Sequence, residues 1–285
     1  ISTLGVFIGA LTNIILDAVF MILFDMGIAG AALATGLSQV LTFSIFFIHF
    51  LRHKGSIRWC RFQFDFRIYK RIIPIGLADF ITELSAGIIV FMFNHAILTY
   101  IGDAGLVTYT IITYVYNLVM MTFSGISQGM QPLVSYHYGK QDVHAYHTFF
   151  KYALFSTLIA SLFALVICLF GTKWIVMIFL SPDSQPLFSN TLYAFRCFSL
   201  CYLVIGYNIV IAGYFAAVEK SRNSFLISVL RGFVLIAFAL FFTSYCFGGD
   251  GIWFSTLICE GLCLIVSLFL ILRQKKQERA TGKAA

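Results

Sequence analysis

The chain alternates long apolar stretches with short polar connections along its whole length. Each stretch holds about 20 residues or more, which is enough for a helix to cross the ~30 Å hydrocarbon core of a bilayer. Backbone polar groups cannot stay unpaired in lipid, and barrel strands would be short and alternating, so these runs are predicted to be helices. The pattern predicts eight transmembrane helices, at residues 3–24, 28–51, 72–101, 105–131, 146–171, 187–217, 222–247 and 251–273.

The composition agrees with a membrane protein and excludes an ordinary soluble domain. Hydrophobic residues make up 60% of the 285 residues and charged residues only 11%, whereas a soluble domain carries about 25% charged residues. The seven cysteines lie mostly in apolar stretches and show no metal-site spacing, which is typical of buried thiols. We therefore expect an all-α integral membrane protein.

The basic residues predict how the helices are oriented. Most of the Lys and Arg side chains collect in alternate connections, above all in residues 52–71 and in the C-terminal tail. By the positive-inside rule these connections and the C-terminus are cytoplasmic. The net charge of +7 then reflects membrane orientation rather than nucleic-acid binding. Because the chain begins with Ile1 at the edge of an apolar stretch, we expect it to be part of a longer protein.

The first and last helix pairs resemble each other, which predicts a duplicated bundle. Four positions align at a constant offset of 221 residues (248 − 27): Gly27, Gly30 and Thr35 recur as Gly248, Gly251 and Thr256, and Gln39 aligns with Glu260. Chance similarity between two apolar hairpins is the alternative, but many secondary transporters contain such repeats. A six-helix repeat gives four segments: 1–51 as the last two helices of an N-lobe, 52–71 as a basic cytoplasmic loop, 72–273 as a complete six-helix C-lobe, and 274–285 as a basic cytoplasmic tail.

Three polar residues of the first hairpin form a candidate cation site. Asp17 and Thr35 each lie nine residues from Met26, and at 1.5 Å per residue both fall near the middle of the membrane. Asn13 precedes Asp17 by four residues and shares its helix face. Oxygen ligands of this kind suit Na⁺ or a proton, and an ionisable group at this depth is a functional candidate. The alternative is a hydrogen-bonded cluster that joins the two helices.

A second set of polar residues lies at membrane depth in the predicted C-lobe. Glu83 in the third predicted helix, Asn208 in the sixth, Arg231 in the seventh and Glu260 in the eighth form a candidate substrate or ion site. A structural ion pair between Arg231 and a carboxylate is the alternative, because an unpaired charge at this depth is costly. Gln128, Gln131 and Tyr136, around the end of the fourth helix, either line a cleft or bond across helices.

The order and spacing of four segments resemble one family, the multidrug and toxic compound extrusion (MATE) transporters. The segments are Asn13-Ile-Ile-Leu-Asp17, Gly27-Ile-Ala-Gly30 through Gln39, Gln128-Gly-Met-Gln131-Pro132 through Gly139, and Gly213-Tyr-Phe-Ala-Ala-Val-Glu219 through Arg231. The resemblance covers the whole chain as helices five to twelve of twelve. It implies two six-helix lobes, of which the second is complete here.

The resemblance also implies a function. It predicts an antiporter that exports amphipathic organic cations in exchange for Na⁺ or H⁺, as a monomer in a plasma membrane of bacterial type, without a cofactor or an enzymatic activity. Asn13, Asp17 and Thr35 fall on positions of the family's N-lobe cation site, and Glu83 resembles an acidic position of its C-lobe.

Two other classes remain as alternatives. A lipid-linked oligosaccharide flippase of the same superfamily needs a strongly basic cavity, yet Arg196 and Arg231 are the only Lys or Arg residues predicted to lie at membrane depth, away from the helix ends. A receptor that does not transport is the alternative from another class, and it would respond to ligand without flux.

Overall fold

The computed structural model describes residues 2–52 and 65–280, and every regular element in these ranges is a helix. The helices are α1 (Ser2–Ala18), α2 (Gly27–Leu51), α3 (Phe66–Tyr100), α4 (Asp103–Gly139), α5 (Val143–Phe170), α6 (Thr172–Met177), α7 (Leu187–Ser199), α8 (Tyr202–Ala217), α9 (Ser221–Val229) and α10 (Leu235–Ala280). Two π-helical turns continue α1 and join α9 to α10, at Val19–Leu23 and Leu230–Val234.

The helices confirm the predicted all-α membrane fold. Among the described residues, six helical stretches are long and apolar enough to cross a membrane, and α7 with α8 adds a seventh, bent by 41°. The longest stretch, Ser221–Glu278, has 58 residues and is broken at Gly248. Since about 20 residues cross a bilayer, this stretch supplies two spans. The total is consistent with the eight predicted.

The helices extend beyond the predicted spans where polar residues follow apolar ones. Helix α3 begins at Phe66, inside the predicted loop 52–71, and contains Pro74; residues 53–64 of that loop lie outside the described residues. Helix α4 continues past Pro132 to Gly139. Helix α10 continues through 274–280 of the predicted tail, and 281–285 lie outside the described residues. Hydropathy marks where lipid contact ends, whereas Lys, Arg, Gln and Glu are themselves good helix formers.

The chain divides into two compact units after Asp65. In the N-terminal unit, α1 and α2 form a hairpin in which small residues allow close approach. A Cβ atom on Gly5 would collide with the Phe46 ring, and one on Gly9 would collide with the Thr42 hydroxyl. Such small-residue contacts are the usual means by which membrane helices pack.

The two predicted repeat turns share their backbone geometry. Gly27 has a φ of 53° and Gly248 a φ of 61°, a left-handed conformation that favours glycine. Three residues later, a Cβ atom on Gly30 would lie 3.0 Å from the Met26 Cβ, and one on Gly251 would lie 3.0 Å from the Phe247 Cβ. The offset of 221 positions (247 − 26, 251 − 30) therefore holds for local packing as well as for residue type.

The C-terminal unit has a packed interior in which α4, α5 and α8 meet closely. Phe123 of α4 is 1% exposed, and Thr157 of α5 and Ile205 of α8 are 0% exposed. Gly206 of α8 faces the first two: a Cβ atom there would lie 2.7 Å from both the Phe123 ring and the Thr157 methyl group. The glycine therefore permits this three-helix contact.

Gly206→Ala is expected to lower the free energy of unfolding by about 1–3 kcal/mol, because the added methyl group overpacks a filled interior. The measurement is denaturation of the purified intact protein in detergent, followed by circular dichroism. Gly125→Ala is the matched control, since a Cβ atom there meets nothing within 4 Å and alanine is the better helix former. Equal stability of the two variants would show that the α4–α5–α8 contact is not tight.

Candidate functional site

The polar residues of the N-terminal unit lie on facing sides of the α1–α2 hairpin. The Asn13 side-chain amide donates to the Thr35 hydroxyl at 3.5 Å, and that hydroxyl donates to the backbone carbonyl of Ala31 at 3.0 Å. The structure thus brings two of the three predicted residues into contact across the hairpin.

Asp17, the third predicted residue, carries a buried oxygen atom with no protein partner. Its Oδ1 atom has no hydrogen-bond partner among the described residues, and the residue is half-buried. Asp17 lies just before the π-helical turn Val19–Leu23, and such turns are frequent at functional sites. A desolvated carboxylate oxygen is costly unless it is paired, so this position is suited to bind a proton or a hard cation.

Glu260 of the C-terminal unit is held by a saturated network of hydrogen bonds. The Arg231 guanidinium meets the Glu260 Oε1 atom through Nη2 at 3.0 Å and through Nε at 3.1 Å. The Asn208 amide donates to Oε2 at 2.7 Å and to the Glu260 backbone carbonyl at 2.9 Å. The Ser267 hydroxyl in turn donates to the Asn208 side-chain oxygen at 3.0 Å.

This network is almost entirely removed from solvent. Asn208 and Ser267 are 0% exposed and Glu260 is 4% exposed. Asn208 and Arg231, two of the four predicted C-lobe residues, both contact a third, Glu260. This is the structural ion pair that the sequence analysis gave as the alternative for Arg231. A carboxylate whose two oxygens are both occupied is poorly placed to take up a coupling ion.

Local packing fixes the position of Arg231 relative to α3. Arg231 lies in the π-helical turn Leu230–Val234, and a Cβ atom on the next residue, Gly232, would collide with the Ser85 side chain. One helical turn away, the Thr82 hydroxyl donates to the Ser228 hydroxyl at 2.9 Å. These contacts hold α3 against α9 beside the ion pair.

A cavity of about 450 Å³ lies between these helices. Arg231 and Glu260 form part of its wall, and Glu83 of α3 lines it as an exposed side chain. Glu83 makes no hydrogen bond or ion pair within the described residues. The aromatic side chains of its lining are Phe93, Tyr109, Tyr116 and Phe198. A carboxylate and several aromatic rings around one space can hold an apolar cation.

The cavity also contains polar residues that the sequence interpretation missed. Thr113, Tyr116 and Asn117 of α4 all line it. Their spacing of three and four residues places them on one helix face, and that spacing is the signal by which they could have been found. Ser267 was missed as well, although it lies seven residues after Glu260 and so shares its face.

The three predicted cleft-lining residues do not share one cavity. Gln131 is half-buried, donates to the Ser127 hydroxyl at 3.4 Å, and lines a separate cavity of about 340 Å³ with Tyr138. Gln128 is exposed. Tyr136 is 59% exposed, with the Lys140 ammonium 4.4 Å from its ring centre.

The sequence matches a family model and curated proteins over much of its length. The family model described as MatE matches residues 74–242. The multidrug export protein MepA of Staphylococcus saprophyticus is 24% identical over 275 residues, covering 95% of this chain and 59% of that protein. MepA of Staphylococcus aureus strain MRSA252 is 23% identical with the same coverage. The chain thus spans about three fifths of the length of the curated relatives that it matches.

Solved structures show the same fold at low sequence identity. A MATE structure in complex with MaL6 superposes with a TM-score of 0.86 at 23% identity, over 95% of this chain and 62% of that one. A MOP superfamily transporter from Pyrococcus furiosus, described as having a binding pocket of reverse polarity, gives a TM-score of 0.88 at 21% identity, over 96% and 62%.

Proposed function

The chain belongs to the MatE family, and on this premise we propose that the intact protein is a secondary active transporter that exports amphipathic organic cations in exchange for Na⁺ or H⁺. Its relatives are named multidrug export proteins. In this proposal the protein acts as a monomer in the plasma membrane, with its basic connections and C-terminus in the cytoplasm. We also propose that it needs no cofactor and catalyses no chemical reaction.

The observation that carries the proposal is the buried oxygen of Asp17, which has no hydrogen-bond partner in the described part of the chain. An ionised carboxylate at membrane depth is expensive unless a cation or a proton offsets its charge. The Asn13 amide and the Thr35 hydroxyl, which meet at 3.5 Å across the hairpin, add polar atoms on the facing helices. In this proposal, Na⁺ or H⁺ binds at Asp17 in one state of the transport cycle and is absent in the other.

The cavity of the C-terminal unit supports binding of the organic cation. Arg231 is neutralised there by Glu260 at 3.0 Å, which leaves Glu83 as the acidic group without a protein partner within the described residues. The aromatic lining offers cation–π contacts and apolar surface. Ion and substrate then favour different states, and that difference in affinity drives alternating access.

The test is flux of a fluorescent organic cation into or out of proteoliposomes that contain the intact protein. A Na⁺ gradient and a pH gradient are imposed separately at matched membrane potential. Flux driven by one of them supports antiport and identifies the coupling ion. Absence of flux under both gradients would contradict the proposal, and translocation of a labelled lipid-linked oligosaccharide in the same vesicles would then favour a flippase.

Glu83→Gln is expected to raise the apparent KM for a monocationic substrate about fivefold to tenfold, because one carboxylate–cation contact of about 1 kcal/mol is lost. The maximum rate is expected to change less. Glu83→Asp should recover part of the affinity. Asp183→Asn is the control for net charge, since Asp183 is exposed and does not line the cavity. An unchanged KM in Glu83→Gln would remove Glu83 from the substrate site.

A further inference from the structure

A groove separate from the two cavities described above lies at the end of the C-terminal unit that carries the Gly248 turn. It has a volume of about 370 Å³ and shares no lining residue with the cavity at Glu83. We call it the Asp250 groove, and its lining residues are Tyr193, Thr243, Phe247, Asp250, Gly251, Phe254, Leu257 and Ile258. The positive-inside pattern predicts that this end faces outward.

The groove combines one carboxylate with three aromatic rings. Asp250 is exposed and makes no hydrogen bond or ion pair within the described residues. Tyr193 of α7 is 50% exposed and Phe247 is 68% exposed, so both rings are accessible from outside the unit. Phe254, one turn after Asp250, is half-buried. A groove lined by apolar side chains, aromatic rings and one negative charge is suited to a lipophilic cation.

We propose that the Asp250 groove is a second binding site for lipophilic organic cations, separate from the cavity at Glu83. The choice of ligand rests on the proposed function, because such cations are the expected substrates. A bound cation would be attracted by the Asp250 carboxylate while its apolar part lies on Phe247, Phe254 and Ile258. In the outward orientation this site receives the cation after its release from the transport cavity.

The chemistry of the lining favours a cation over a phospholipid. No Lys, Arg or His is among the residues that line the groove. A phospholipid phosphate would therefore lack a cationic partner among these residues and would lie near the Asp250 carboxylate. A quaternary ammonium or phosphonium compound has no anionic group and meets no such repulsion.

The structural alternative for Asp250 is stabilisation of the helix that follows it. Gly248 interrupts α10, so Asp250 lies in the first turn of the second half, where a negative charge is favourable. Asp103 occupies the same kind of position, directly after Gly102 at the start of α4. The two turns are neighbours, because a Cβ atom on Gly249 would lie 2.7 Å from the Ile101 side chain. Asp103 does not line the groove, so Asp103→Asn is a matched control for charge.

The experiment measures equilibrium binding of radiolabelled tetraphenylphosphonium to the purified intact protein. All variants are made in a protein that already carries Asp17→Asn and Glu83→Gln, so that binding is measured separately from transport. Asp250→Asn and Phe247→Ala are each expected to weaken the remaining binding about fivefold to tenfold, whereas Asp103→Asn leaves it within about twofold. Circular dichroism and gel filtration confirm that each variant is folded, and Tyr193→Leu provides a further change on a different helix.

Three outcomes would overturn the proposal. Equal weakening by Asp103→Asn would mean that only bulk charge matters, and unchanged binding in Asp250→Asn would mean that the groove does not hold the cation. Complete displacement of the probe by phosphatidylethanolamine, together with loss of that lipid in Asp250→Asn, would make it a lipid site. Together with the flux measurement, the same experiment separates this proposal from the proposed function. Absence of transport by the unmodified protein would count against antiport, whereas binding that persists in the Asp17→Asn, Glu83→Gln double variant would still support the groove.

Discussion

Arg231→Met is expected to lower the free energy of unfolding of the intact protein by about 3–5 kcal/mol, because it leaves a buried carboxylate without its cation. Glu260 is 4% exposed, and Arg231 makes an ion pair with it at 3.0 Å and donates a hydrogen bond to it at 3.1 Å. Asn208 would remain as a partner at 2.7 Å, but an amide cannot offset a full charge. The measurement is denaturation in mixed detergent micelles, followed by circular dichroism.

Replacing both partners separates the cost of an unpaired charge from the value of the pair. Arg231→Met combined with Glu260→Met is expected to recover most of the lost stability, since a buried ion pair can often be replaced by apolar residues at little cost. Arg222→Met, at an exposed position in α9, should change stability by less than about 0.5 kcal/mol. A double variant as unstable as the single one would show that the Asn208–Ser267 part of the network depends on the Glu260 charge.

The helices were predictable because the signal for them is local. An apolar run of membrane length specifies a helix whatever surrounds it, and the glycine turns at Gly27 and Gly248 are visible in sequence. The 41° bend between α7 and α8 leaves no such signal. The contacts of the last turns of α10 also leave no local signal in the sequence. There, Gln274 donates to the Tyr214 hydroxyl at 3.2 Å and Glu278 contacts His147 at 3.0 Å.

The candidate sites show the same distinction between local sequence signals and contacts that depend on helix packing. Because a lone charge in a membrane is costly, the sequence predicts that Arg231 has an acidic partner. Which acidic residue it contacts depends on helix packing, since Arg231 and Glu260 lie 29 residues apart in sequence. Glu83 and Glu260 look equivalent as sequence positions, and only the structure shows one exposed on a cavity wall and the other enclosed. Asn208 and Ser267 become part of the network for the same reason, because their contacts span 52 and 59 residues.

Asp17→Asn is expected to reduce gradient-driven flux of an organic cation to the level of protein-free liposomes. Asp17 is the one acidic residue within α1 and α2, and its buried Oδ1 atom has no protein partner among the described residues. Asparagine keeps the size and most of the polarity but carries no charge at any pH. The variant site would then have the same charge in both states. Na⁺ or H⁺ would no longer bind there in one state and dissociate in the other, so its gradient could not drive transport.

Asp25→Asn is the matched control for this variant. Asp25 lies in the turn of the same hairpin with a φ of 51°, a left-handed conformation that asparagine adopts as readily as aspartate. We expect its flux to stay near that of the unmodified protein. Asp17→Asn should still bind tetraphenylphosphonium, because removing the coupling ion's site leaves the Glu83 cavity and the Asp250 groove intact. Binding without driven flux would place Asp17 in coupling. Full flux in Asp17→Asn would instead reduce the residue to a contact between α1 and α2, and the coupling carboxylate would have to lie elsewhere in the intact protein.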